Sequence, residues 1–108
     1  MRQTEVIRKL NDQFRCSFTG GRVVTTAGIN NLPSESQSML IRKVQQFDEF
    51  NPDNDPHGEH DFGRIDLLEK GFFWKIDYYD TELKYGSENP ADPAATTRVL
   101  TIMRAEEY

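Results

Sequence analysis

The sequence predicts an α+β domain: two helices packed on one face of a small antiparallel sheet, in the order α-β-α-β-β-β. Three observations carry that prediction. Two stretches in the first half repeat apolar residues at helical spacing. The second half alternates apolar and polar residues between glycine-containing turns, as strands do. Paired glycines, prolines and asparagines separate these segments, and the 108 residues suit one domain spanning 1–108.

Residues 4–14 set Val6, Leu10 and Phe14 on one helical stripe, with Ile7 beside them and Arg8, Lys9 and Asp12 opposite. Gly20-Gly21 breaks the chain, and Arg22–Thr26 is β-branched enough to be a strand ended by Gly28. Ser34 and Gln37 have the spacing of a capping box, with Pro33 just before them. Leu40, Val44 and Phe47 then mark the buried side of a second helix, which Asn51-Pro52 is expected to stop. Phe62–Leu68 and Phe72–Tyr79 read as a hairpin. A two-residue Lys70-Gly71 turn would set Asp66 opposite Lys75, Arg64 opposite Asp77, Leu67 beside Trp74 and Ile65 beside Ile76. After a loop from Tyr85 to Ala95, Thr97–Arg104 forms the last strand.

The core is modest, with 36% hydrophobic residues and a mean hydropathy of −0.73. Twelve aromatics offset this by burying much area per position. No apolar run approaches the roughly 20 residues that span a bilayer. No charged-then-apolar leader is read at the start, and the single Cys16 has no internal disulfide partner, so a cytoplasmic protein is expected.

Net charge is −5, unevenly spread. Residues 1–43 carry seven basic and three acidic side chains, whereas residues 44–108 carry six and fifteen. The halves can neutralise each other on folding, or the acids can form a face for a basic partner. Between Lys43 and Arg64 there is no basic residue, and both histidines lie there, within Asn54-Asp55-Pro56-His57-Gly58-Glu59-His60-Asp61-Phe62-Gly63. Imidazole and carboxylate together are ligands for a divalent transition metal, which makes His57, Glu59, His60 and Asp61 the candidate metal site. The spacing is not that of a zincin, because Gly58 and Pro56 oppose a helix and the histidines stand three apart. A calcium loop starting at Asp53 fails at its twelfth position, which is Arg64. The plain alternative is a tight turn whose acids cap backbone amides.

Trp74-Lys75-Ile76-Asp77-Tyr78-Tyr79-Asp80 is aromatic enough to stack on bases, but it lies in the acidic half, which argues against direct nucleic-acid binding. Tyr79, on its polar face, is the residue freest for a partner.

Taken in order, the segments Ile7–Asp12, Gly20–Val23, Asn54–Gly63, Trp74–Asp80 and Arg98–Met103 resemble a small bacterial family known as a domain of unknown function, often carried on plasmids and other mobile elements. The resemblance implies a cytosolic accessory protein and brings no reaction, cofactor or catalytic residue. Two functions follow as expectations. One is an interaction module, such as an inhibitor of a defence nuclease of the CRISPR type. It would use Asp48, Glu49, Asp53, Asp55, Glu59, Asp77, Tyr79, Asp80 and Glu82 against a basic protein or nucleoprotein. The other is a small metal-dependent hydrolase built on His57, Glu59, His60 and Asp61. An exposed edge strand leaves a homodimer open.

Overall fold

The structure, a computed structural model, describes residues 2–108. Its elements are α1 (Gln3–Ser17), β1 (Arg22–Thr25), α2 (Ala27–Asn30), α3 (Ser34–Gln45), β2 (Phe62–Leu67), β3 (Lys70–Tyr79) and β4 (Thr97–Arg104), closed by a 3-10 turn over Ala105–Glu107. The α+β class holds. Three helices stand where two were expected, because Ala27–Asn30 coils into one turn after β1.

The sheet runs β1-β4-β3-β2 and is mixed rather than antiparallel. β2, β3 and β4 form an antiparallel meander, but β1 lies parallel to β4, with Val23 beside Leu100. The chain leaves β1 at one edge, passes through α2 and α3, and re-enters at the opposite edge as β2. A crossover of that kind delivers parallel pairing, which no local turn signal records.

The hairpin turn is Leu68-Glu69, not Lys70-Gly71. Both turn residues take positive φ, 53° and 63°, the geometry that matches strand twist. Every pairing therefore shifts: Asp66 faces Gly71, Arg64 faces Phe73 and Ile65 faces Phe72. Asp66 does not face Lys75, nor Arg64 Asp77. Their charges pair along each strand instead, Arg64 with Asp66 at 3.2 Å and Lys75 with Asp77 at 3.0 Å. The shift is an even number of residues, so every side chain keeps its expected face.

One sheet face builds the core. Phe72, Trp74, Ile76, Leu100 and Ile102 join Ile65 and Leu67 with Phe14 of α1, Ile29 of α2, and Leu40 and Val44 of α3. Gly63 is needed here, since a Cβ would fall 2.8 Å from the Phe47 ring. The buried stripe of α1 is Ile7, Asn11, Phe14 and Arg15, rotated from the expected Val6, Leu10 and Phe14. In α3 no side chain caps the N-terminus; Gln37 instead donates to the carbonyls of Leu32 (2.8 Å) and Asn30 (3.2 Å). The helix ends at Gln45, before Asn51-Pro52. Asn51 shapes the loop beyond, accepting from the N–H of Asp53 (2.9 Å) and Asn54 (3.1 Å).

On the other sheet face Tyr108 packs edge-on against Phe62 and Phe73. Glu107 fastens this end, accepting from Thr26 Oγ1 at 2.7 Å and from the Gly28 N–H at 3.1 Å. The Thr26 hydroxyl and the backbone amides hold its carboxyl below the usual range. Among the described residues no helix is long and apolar enough to cross a membrane.

Candidate functional site: the polar junction of the first helix and the acidic loop

Where Tyr78 pairs with Arg98, the core face of the sheet turns from apolar to polar. Asn11, fully buried on α1, fills that junction. Its amide donates to Tyr78 Oη (2.8 Å) and to the Glu59 carbonyl (3.0 Å), and its oxygen accepts from Arg98 Nε at 2.8 Å. Tyr78 donates to Glu59 Oε1 at 2.8 Å, with Asp61 Oδ2 at 3.5 Å. Arg98 lies over the Tyr78 ring and donates a second bond to the Pro90 carbonyl. Each buried polar atom of this group thus has a partner, the condition for burying it at all.

A second chain of contacts holds His60. Its Nδ1 stands 2.9 Å from Asp12 Oδ1, its Nε2 stands 3.6 Å from Asp55 Oδ2, and Phe50 stacks on the ring at 3.7 Å. The His60 backbone is left-handed, φ 56°, and its N–H donates to Asp55 Oδ1 at 3.1 Å. Arg15 donates to Asp12 (3.0 Å) and to the Phe47 carbonyl (3.0 Å) while lying over Phe50 and Trp74. Arg8 reaches the Gly58 carbonyl at 3.3 Å. Arg8, Asn11, Asp12 and Arg15 follow the i, i+3, i+4, i+7 rule, so one helical stripe holds both ends of the loop, at Phe47 and at Gly58–His60.

The electrostatics follow from burial. Desolvation raises the Asp61 carboxyl above its ordinary value, and the neighbouring Glu59 adds to it. Burial likewise pushes the Tyr78 hydroxyl up. It lowers Arg98, against the pull of Tyr78 and Glu59.

The residues expected to bind a partner do not share one environment. Asp55 is buried and holds His60, and Glu59 is half-buried against Tyr78. Asp77 pairs with Lys75 on the outer sheet face, beside Tyr79. Asp80 caps the N–H groups of Glu82 (3.1 Å) and Lys84 (3.0 Å), and Glu82 pairs with Lys84. Asp48, Glu49 and Asp53 are exposed and make no ion pair among the described residues. They rim the loop between α3 and β2.

The four candidate metal ligands do not converge. His57 is exposed, His60 lies between Asp12 and Asp55, and Glu59 and Asp61 sit at Tyr78. Among the described residues no group of three or more His, Cys, Asp or Glu side chains is placed to hold a metal ion. A groove of about 390 Å³ runs between Phe47–Glu49 and Arg64–Asp66, and one of about 380 Å³ lies on the outer sheet face. Neither includes His60, Tyr78 or Asn11 in its lining.

Asn11, Arg15, Tyr78 and Arg98 escaped the sequence reading. The available signal was the polar stripe of Arg8, Asn11, Asp12 and Arg15 running beside Ile7 and Phe14.

Comparison with curated proteins and with solved structures gives no match. A family model described as "Protein of unknown function (DUF3768)" matches residues 25–107, from the end of β1 through the C-terminal turn. Asn11, Asp12 and Arg15 stand outside the matched stretch, while the loop and sheet residues that they bind stand within it. With more than half of its length matched, the chain belongs to this family of proteins of unknown function.

Proposed function

We propose that this protein is an interaction module that engages a basic partner through the exposed carboxylates of the α3–β2 loop. One observation carries the reading: the acidic loop divides its charges into two sets. Asp55, Glu59, Asp61 and both nitrogens of His60 are engaged within the molecule. Asp48, Glu49 and Asp53 are left outside, exposed and in no ion pair among the described residues. The inner set fixes the end of the loop against Asp12 of α1 and Tyr78 of β3, and a loop so fixed presents the outer set in one arrangement. Preorganised charge of this kind favours fast, oriented association with a basic surface.

The partner class we infer is a protein whose basic groove ordinarily receives nucleic acid, such as a defence nuclease of the RNA-guided type. Carboxylates spaced along a rigid loop would occupy phosphate positions there. The test is DNA cleavage by a panel of such nucleases with this protein added. Inhibition should fade as salt rises and should be lost when Asp48, Glu49 and Asp53 are changed to lysine together. Inhibition that the triple reversal leaves intact would overturn the electrostatic reading, and so would a panel with no inhibition at all.

A further inference from the structure

The sheet has an unprotected edge with an unusually restrictive pattern. Ile76 N–H donates to the Asp61 carbonyl at 2.8 Å, which sets the alternation of the β2–β3 ladder. Gly63, Ile65 and Leu67 therefore turn their backbone groups toward β3. Phe62, Arg64 and Asp66 turn theirs outward, where β2 has no neighbouring strand among the described residues. Open edges of this type are templates for pairing with another chain. The groove of about 390 Å³ runs along this edge, so the helix-side wall leaves room for an incoming strand.

We propose that the occupant is a second copy of this chain. It would pair β2 with β2 antiparallel about a two-fold axis at Ile65, giving one continuous eight-stranded sheet.

Charge selects this arrangement. With Ile65 facing its counterpart, Arg64 of each copy stands opposite Asp66 of the other. Both of these residues direct their backbone groups outward, so the pair also closes two N–H···O=C bonds on each side of the axis. A slip of two residues in one direction sets Arg64 against Arg64, and in the other direction Asp66 against Asp66. A slip of one residue turns the apolar face of one strand to the wrong side of the sheet. The charges are exposed, with 53% and 74% of the side-chain surface accessible, so they fix register more than strength. Leu68, which leaves 64% of its surface in solvent, comes over Phe62 of the second copy, beyond the last pair of strand residues. The surface is isologous, each copy offering the same patch, as a closed two-fold dimer requires.

The experiment is sedimentation of the intact protein over a wide concentration range, with melting curves to confirm that each variant folds. The unaltered chain should pass from monomer to dimer as concentration rises. Arg64→Asp and Asp66→Arg should each weaken the dimer about tenfold or more, since like charges then face each other twice. Two results would complete the case: R64D/D66R dimerises again, and the two single variants mixed together form a heterodimer. A chain that stays monomeric throughout overturns the proposal. A dimer that ignores the single reversals, or that neither the double variant nor the mixture restores, overturns the β2 pairing.

Discussion

The two ends of one sheet face do different work. At the end near the hairpin, Trp74, Phe72 and Ile102 are buried among the apolar side chains of three helices. At the other end, where Tyr78 faces Arg98, the same helix α1 contributes Asn11, and the contacts are hydrogen bonds of 2.8–3.0 Å. Apolar burial is forgiving of direction, whereas a hydrogen-bonded amide accepts only one placement of its partners. The apolar end thus holds the molecule together, and the polar end decides where the acidic loop sits.

This contrast can be broken by substitution, beginning with the largest effect. Trp74→Ala, at 0% exposure, should lower unfolding free energy by about 3–5 kcal/mol and shift the urea midpoint of the whole molecule. Arg15→Ala should cost about 2–4 kcal/mol, because it frees Asp12 and the Phe47 carbonyl and removes a stem packed on Phe50 and Trp74. Amide exchange should then quicken first in residues 47–60; a uniform rise across the sheet would deny the two ends their separate roles.

Tyr78→Phe is the sharper probe of the polar end. It leaves Asn11 and Glu59 each short of a partner, for about 1–2 kcal/mol. Its signature should be loosening of the loop, read by exchange at Gly58–Asp61, with the hairpin unaffected.

Asp61→Asn tests the sign of the local field. Burial raises the Asp61 carboxyl, so the folded chain holds that proton more tightly than the unfolded one. Stability is therefore lost as pH rises from the ordinary carboxylate range through the raised value. The asparagine variant should be more stable than the original at neutral pH, by less than about 1 kcal/mol given its partial exposure. The gain should vanish below about pH 4, where the unfolded carboxyl is also protonated. Equal stability at every pH would remove Asp61 from the buried group.

The smallest effect is expected for Asp48, Glu49 and Asp53. Changing all three to their amides should move stability by no more than about 0.5 kcal/mol per site, since their side chains are exposed and make no ion pair among the described residues.

The sequence made the α+β class and most elements legible, because helical and alternating periods are local properties. Its failures were non-local or lay in turn chemistry. Leu68-Glu69 carries none of the Gly or Asn that positive φ favours, so Lys70-Gly71 attracted the turn instead. The parallel partner of β1 lies more than seventy residues away. At the candidate site the acidic loop was visible as composition, but its partners were not. Asn11 meets Tyr78 across 67 positions, and Arg98 meets Asn11 across 87. A polar residue on a helix reads as solvent-facing until the group that satisfies it is known.

The pairing of β1 with β4 has a consequence for how the protein is made. β4 lies between β1 and β3, so the second inner strand of the sheet is the last to be synthesised. A ribosome that has released residues 1–90 has delivered both edge strands and the hairpin, yet no strand joins β1 to the other two. Until Thr97–Arg104 emerges, the inner edges of β1 and β3 wait unpaired, which is when a nascent chain is most exposed to misassociation. A nascent chain halted before Thr97 would therefore hold three of the four strands and no finished sheet.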